Sequence, residues 1–321
     1  MSVPPRISII IPTQRRPIGL QRAVRSAFAQ QGLDLQTCEL VVADNDVVPS
    51  AAAVVEALRA DAPFPVAYVH EPRPGVANVR NAAMEVAQGA LIAFLDDDEE
   101  APVAWLAALL AAQARYDADV VFGPVRGRAP PEVHRNRNYL ERFFSRSGPA
   151  EAGPIDNYYG CGDSLVRRDA LPDPKRPFSE IRNHIGGEDD LLFGIMKVRG
   201  ARFAWEPAAW VWEDPEPSRL SLRYTLKRAF GYGQGPSAAC AAKTPPDRLG
   251  LAGWMVQGLA QAAIFAALGG VKWLVRAPDF AFDLDRAARG LGKTFWWGPF
   301  KLAFYGLRPG VRPAAQLALN K

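Results

Sequence analysis

With 321 residues, 49% of them hydrophobic, the chain is long enough for one large domain or two modest ones and apolar enough to bury a packed core. Three cysteines, Cys38, Cys161 and Cys240, are too few and too widely spaced for a disulfide framework or a zinc knuckle, which favours a reducing, cytosolic compartment. The net charge of +4 conceals an asymmetry: residues 215–321 carry 15 Lys and Arg against 5 Asp and Glu, whereas residues 1–214 carry 23 against 29.

The opening MSVPPRISIIIPT has a single Arg and an apolar run too short for a signal peptide, so ISIII (7–11) reads as a first strand. Further strands are expected at ELVVA (39–43), VAYV (66–69), LIAFL (91–95) and DVVFG (119–123). Helices are expected near 18–30, 50–60, 76–88 and 102–115. Apolar strands that do not alternate, separated by helices, predict an α/β fold with a mostly parallel sheet covered on both faces. Ligands of such sheets collect beyond the carboxyl ends of the strands. Thr13 follows the first strand, Asp44 and Asp46 the second, and Asp96 to Asp98 the fourth, so three polar clusters share one edge. Neither GxGxxG nor GxxxxGK[ST] follows any strand, which disfavours a Rossmann dehydrogenase or a P-loop enzyme.

Residues 126–160, rich in Arg and Pro, read as an irregular connection. DDLLFGIMKVRG has helical spacing and stops at Gly200, and ARFAWEPAAWVWED reads as strands. Three segments are anticipated: 1–125, 126–235, and a basic, apolar helical tail at 236–321.

AFLDDDEE, residues 93–100, sets an apolar run against five carboxylates. Like charges this close raise one another's pKa unless a cation offsets them, and oxygen-only ligands select a hard ion, Mg²⁺ or Mn²⁺. The plainer reading is an acidic helix start that favours the dipole of the following helix. ISIIIPTQRR, LVVADND, GVANVRNAAMEVAQGALIAFLDDDEE and GGEDDLLF, in this order and at these separations, decide between the two. Together they resemble the family 2 inverting glycosyltransferases over residues 6–235, and within them the bacterial enzymes that build exopolysaccharide or lipopolysaccharide glycans of the succinoglycan type.

That resemblance implies the GT-A fold, a nucleotide-sugar donor, expected to be a UDP-sugar, and a divalent metal. It implies that Asp96 faces the ribose and, with Asp98, holds the metal that bridges the donor diphosphate, with Asp97 in the same donor-binding group. It places Asp44 on the nucleotide base, and Pro12, Thr13 and Arg16 in the first nucleotide-contacting loop. Arg80 falls in the VRN that matches the family's ARN. In GGEDD, Asp189 matches the general base, with Asp190 the substitute; Gly187 and Glu188 would approach the acceptor or phosphate. Surface ion pairs remain an alternative for Arg16 and Arg80, and a helix cap for Asp189. Asp163, in GCGDSLVRR, stands where relatives often carry Asn and is assigned to the acceptor loop. Many GT-A enzymes place a metal-binding His after the base-bearing helix; here WVWEDPEPSR has none, and Glu213 either fills that position or pairs with Arg219. His184 lies near the base and either touches the acceptor or is structural.

The tail begins with SRLSLRYTLKRAFGYGQG, where Arg223, Lys227 and Arg228 recur at helical spacing and could meet a pyrophosphate, a lipid phosphate or headgroups. Leu249 to Val271 is free of charge for 23 residues, about 34 Å as a helix and enough for a core of roughly 30 Å. Five glycines, two glutamines and positive charge on both flanks favour monotopic or re-entrant attachment over a span, a hairpin or a buried soluble pair. TFWWGPFKLAFYGLR (294–308) mixes aromatics with cations, as membrane interfaces do. The cytoplasmic face of a bacterial inner membrane and a lipid-linked saccharide acceptor are thereby expected. Nucleic acid is not an expected partner, since no recognition motif accompanies the charge. Two other readings compete: a nucleotide-sugar-binding membrane module without turnover, and a nucleotidyltransferase.

Overall fold

The computed structural model of the chain describes residues 6–183 and 186–302; His184 lies outside the described residues. The strands are β1 (Ile7–Thr13), β2 (Cys38–Asp44), β3 (Val66–His70), β4 (Leu91–Phe94), β5 (Glu99–Glu100), β6 (Val120–Phe122), β7 (Val125–Gly127), β8 (Gly153–Ile155), β9 (Ser164–Arg167), β10 (Phe203–Trp205) and β11 (Val211–Glu213). The helices are α1 (Pro17–Phe28), α2 (Ala52–Arg59), α3 (Val76–Val86), α4 (Trp105–Tyr116), α5 (Arg137–Phe143), α6 (Glu188–Val198), α7 (Leu222–Gly233), α8 (Gly235–Ala242), α9 (Arg248–Leu274) and α10 (Phe280–Thr294). By packing, these form two units, one of the residues up to Arg126 with Arg146–Glu213, the other of Gly127–Ser145 with Asp214–Leu302. The expected segment boundary at 235 is therefore not a packing boundary, because α7 packs with α10 in the second unit.

In the first unit, eight strands run in the order β3-β2-β1-β4-β9-β6-β10-β8. β1, β2, β3 and β4 are mutually parallel, as are β6 and β10, whereas β9 runs antiparallel between β4 and β6. Successive residues of a strand face opposite sides. Accordingly Ile9, Ile11, Leu40 and Val42 join Leu20, Trp105 and Leu109 in one core layer. Ile10, Val41, Ile92 and Phe94 join Met84 and Phe193 in the other. With helices on both faces there is no solvated side to demand polar alternation, which explains the uninterrupted apolar runs.

Two features depart from the expected outline. Residues 126–160 are not wholly irregular, since β7, α5 and β8 lie there. α5 is short, its buried residues Tyr139 and Leu140 are adjacent in sequence, and β8 is an edge strand containing Pro154, so no periodic pattern marks them. β9 intervenes between β4 and the fifth expected strand, which consecutive apolar runs cannot reveal.

The second unit is helical. Asp247 caps α9 by accepting from the Gly250 N–H at 2.8 Å, and Ser221 caps α7 by accepting from that of Tyr224 at 3.2 Å. α10 packs along α9 through glycines: a methyl at Gly258 would lie 2.5 Å from the Gly290 carbonyl oxygen, and one at Gly290 would lie 2.6 Å from that of Gly258.

Candidate active site

β1 and β4 deliver Thr13 and Asp96 to Asp98 to the same edge because they are parallel neighbours in register, Ile10 opposite Phe94. Thr13 Oγ1 donates to Asp97 Oδ2 at 2.8 Å. Arg16, just before α1, donates through Nη1 to Asp97 Oδ1 at 2.8 Å and to Asp98 Oδ2 at 2.6 Å. Burial works against the charge on Arg16, but Asp97 and Asp98 more than offset it and hold its pKa above the ordinary value. Burial pushes Asp97 up to about 6, Arg16 pulls it down, and Asp98 and Asp96 add repulsion. Asp97 thus points inward as a brace, while the Asp96 side chain keeps 36% exposure.

A second arginine joins this edge to α6. Arg80, buried on α3, donates to Glu188 Oε1 at 2.5 Å and to Asp96 Oδ1 at 3.3 Å. Burial opposes its charge, and Cys161, Asp96 and Glu188 raise its pKa well above the ordinary arginine value. Burial raises the pKa of Glu188, and Arg80 counters that rise. The surface ion pair considered for Arg80 is excluded by its burial. α3 is itself capped from a distance: Asn183 Oδ1 accepts from the Ala77 N–H at 2.9 Å, and a methyl at Gly75 would collide with this side chain.

Asp189 sits in the first turn of α6, after Gly186 and Gly187, both at positive φ (78° and 76°). Its Oδ2 accepts from the Cys161 N–H at 3.1 Å and its Oδ1 from the Asp190 N–H at 2.9 Å, while Asp190 is exposed. The strip Gly160-Cys161-Gly162 therefore separates the two acidic groups. A methyl at Gly160 would lie 3.3 Å from Asp189 Oδ2, and one at Gly162 would lie 2.6 Å from Asp96 Oδ2. The missing side chains at these two positions let both carboxylates pack closely against the strip, one from each side.

Other expected residues are placed differently. Asp44 is fully buried and accepts from the N–H groups of Asp46 (3.0 Å) and Ala51 (2.7 Å) and from the Tyr68 hydroxyl (2.9 Å), which shapes the loop after β2. Pro12 is half-buried in β1. Asp163, expected in the acceptor loop, has a side chain with 0% exposure that turns into the core. Its Oδ1 accepts from Trp105 Nε1 at 2.7 Å, and Arg146 lies 3.4 Å from Oδ2. Burial pushes it up to about 7, opposed by Arg146 and Trp105. Arg228 belongs to the second unit, where its Nη2 donates to the Tyr232 hydroxyl at 2.7 Å. Glu213 stands opposite Glu99 between β11 and β5, and Arg219 pairs with Glu216 at 4.0 Å.

Sequence reasoning missed Glu99 as a structural acid and the glycine strip as a spacer. Glu99 Oε2 accepts from the Asp96 N–H at 2.8 Å, and burial, then Asp96, raises its pKa well above the ordinary value. The GCG motif was the available signal for the strip.

Among the described residues no group of three or more His, Cys, Asp or Glu side chains could by itself enclose a metal. Mg²⁺ and Mn²⁺ do not need such a cage, since one or two carboxylates with water and phosphate oxygens suffice. Asp96 and Asp98 fit that requirement: the Asp96 side chain is 36% exposed, and Asp98 already accommodates a cationic guanidinium.

Fold and site together define a glycosyltransferase of GT-A architecture. Residues 8–173 match the family described as Glycosyl transferase family 2, and the chain belongs to that family. It is 37% identical over 228 residues to the succinoglycan biosynthesis protein ExoM of Rhizobium meliloti (strain 1021), covering 71% of this chain and 73% of that protein. Mannosyltransferase PcManGT from Pyrobaculum calidifontis, solved in complex with GDP-Man and Mn²⁺, superposes with a TM-score of 0.60 at 18% identity, covering 92% of this chain and 88% of that one. S. aureus TarS 1–349 superposes with a TM-score of 0.52 at 17% identity, covering 89% and 90%. At these identities the two structures establish the fold.

Proposed function

We propose that the chain transfers a hexose, with inversion, from a nucleotide sugar, of the UDP class, to a hydroxyl of a growing bacterial surface glycan. The observation that carries this reading is the placement of Asp96 and Asp189 on two sides of the Gly160–Gly162 strip, with Arg80 tying Asp96 to the helix that bears Asp189. A donor sugar with its diphosphate on the Asp96 side has its anomeric carbon within reach of an acceptor on the Asp189 side.

Asp189 takes the proton from the acceptor hydroxyl as that oxygen bonds to the anomeric carbon and the bond to the diphosphate oxygen breaks. The Cys161 and Asp190 N–H groups hold its carboxylate in one orientation for this step. Asp98 and Asp96 would hold Mn²⁺ or Mg²⁺, which supplies positive charge to the departing diphosphate. Arg16 shares Asp98 and is placed to follow the same charge. Gly187 keeps the entry to α6 open to the acceptor, and Glu188 acts through Arg80. In this reading Asp44 serves the nucleotide base by shaping the loop after β2, and Pro12 and Thr13 line its approach.

The relationship to ExoM supports a bacterial exopolysaccharide as the product class, and the TarS complex with UDP-GlcNAc supports a UDP-sugar. The apolar α9 in a basic tail supports a lipid-linked acceptor and a location at the cytoplasmic face of the inner membrane. Asp189→Asn tests the chemistry: nucleotide-sugar binding is retained while transfer falls roughly 100-fold or more, and near-parental turnover overturns the assignment. Chelation with EDTA abolishes transfer and Mn²⁺ or Mg²⁺ restores it; activity unchanged in chelator removes Asp98 from its role. A panel of UDP-, GDP- and dTDP-sugars identifies the donor.

A further inference from the structure

α9 is 27 residues long, about 40 Å, and by length and composition it could cross a membrane. Its packing argues for another arrangement. One face lies against α10, with Gly258, Ala262 and Gly269 buried. Along this seam Gln261 Nε2 donates to the Arg286 carbonyl at 2.7 Å, and Lys293 Nζ donates to Gln261 Oε1 at 2.8 Å. Lys272 Nζ pairs with Asp279 at 2.5 Å and Asp283 at 2.8 Å. Lys293 also sits over Trp254 (5.3 Å), and Arg286 over Phe265 (5.1 Å). Charged groups of α10 thus accompany α9 from residue 254 to residue 272, about 27 Å, nearly the thickness of a hydrocarbon core. A transmembrane α9 would carry Asp283, Asp285, Arg286, Arg289 and Lys293 into that core, at roughly 2.5–3.5 kcal/mol for each charge at mid-depth.

The opposite face is different. From Leu249 to Val271 the sequence holds no Asp, Glu, Lys or Arg, and Leu249, Val256, Leu259, Ile264, Val271 and Leu274 are exposed along it. At a repeat of 3.6 residues per turn, Leu249, Val256, Ala260, Ala267, Val271 and Leu274 fall on one line down the helix. Arg248 and Arg276 are exposed at its two ends, neither engaged by a carboxylate among the described residues, with Trp273 exposed beside the second. Asp214–Leu302 as a whole carries 12 Lys and Arg against 6 Asp and Glu. An apolar stripe with a charged seam behind it and cationic ends matches the acyl–headgroup boundary of an anionic bilayer, the usual habitat of interfacial helices.

We infer that α9 does not cross the membrane but lies in its plane, its outer face set into the headgroup boundary of an anionic phospholipid bilayer and its inner face sealed by α10. The inference deepens the membrane location contained in the proposed function. It is tested without donor or acceptor, so the transfer chemistry and the membrane geometry can fail separately.

The full chain is mixed with vesicles of phosphatidylethanolamine and phosphatidylglycerol, and separately with pure phosphatidylcholine. It co-sediments with the first and weakly with the second. Val256→Glu and Val271→Glu each weaken binding roughly tenfold or more, because each replaces apolar burial by a charge. Val256→Leu does not, and far-UV circular dichroism with urea unfolding confirms that the variants are folded. Because Cys38, Cys161 and Cys240 are buried, single cysteines at Leu249, Ala260, Ala267 and Leu274 can be labelled selectively with a fluorophore. Quenching by brominated lipids then gives one shallow depth at all four sites. A deep centre with shallow ends, no preference for the anionic vesicles, or a self-association that buries this face without vesicle binding would each overturn the inference.

Discussion

The carboxyl edge of the large sheet and the seam between α9 and α10 both concentrate charge, but they treat it in opposite ways. At the sheet edge, the acids after β4 and at the start of α6 outnumber the arginines that bridge them, and the Asp96 side chain keeps 36% exposure. At the seam, Lys272 and Lys293 find partners on the neighbouring helix or in the seam itself, leaving no charge on the outer face of α9. An incompletely compensated cluster with an exposed carboxylate indicates a ligand. A compensated row with a bare apolar face behind it indicates a surface to be covered.

The contrast can be broken most forcefully at Arg80. Arg80→Met leaves Glu188 buried and unpaired and is expected to cost about 3–5 kcal/mol in urea unfolding. Adding Glu188→Gln should recover most of that loss; no recovery would mean that the pair does not organise the edge. At the seam, Gly258→Ala places a methyl against the Gly290 carbonyl and should cost about 1–3 kcal/mol by forcing α9 and α10 apart. A neutral result there would show that the helices are not in close contact.

Asp163 sharpens the comparison through pH. Burial lifts its pKa from 3.8 to about 7, so between these values the folded chain holds a proton that the unfolded chain has released. The resulting contribution to stability is complete below the unfolded pKa and is lost as pH rises through the folded one. Asp163→Asn should therefore flatten the decline in urea midpoint between about pH 4 and about pH 7, and an unchanged slope would assign the decline to other groups. The smallest effect belongs to the outer face of α9: without vesicles, Val256→Glu should change stability by no more than about 0.5 kcal/mol.

The sequence made much of the parallel part of the large sheet legible because β1, β2 and β4 are buried on both faces and announce themselves as unbroken apolar runs. The acids at their ends were legible for the same reason, since a strand's last residues fix where its following side chains emerge. What could not be read was pairing across long separations. Nothing near Arg80 points to Glu188, 108 residues away, and nothing in GCG says that its glycines flank two acids from different elements. The insertion of β9 and the burial of Asp163 were hidden similarly, because both depend on which strand lies beside which. Asp163 looked available in a Gly-rich loop, yet it turns inward at φ 51° to meet Trp105.

The most direct test of this site assignment is a crystal structure of the chain with Mn²⁺ and an intact UDP-sugar. The ion is expected on Asp98 and Asp96, the diphosphate beside it, and the sugar near Gly160–Gly162 with its anomeric carbon toward Asp189. A nucleotide bound away from this edge, or an Asp98 still joined to Arg16 with no ion beside it, would contradict it.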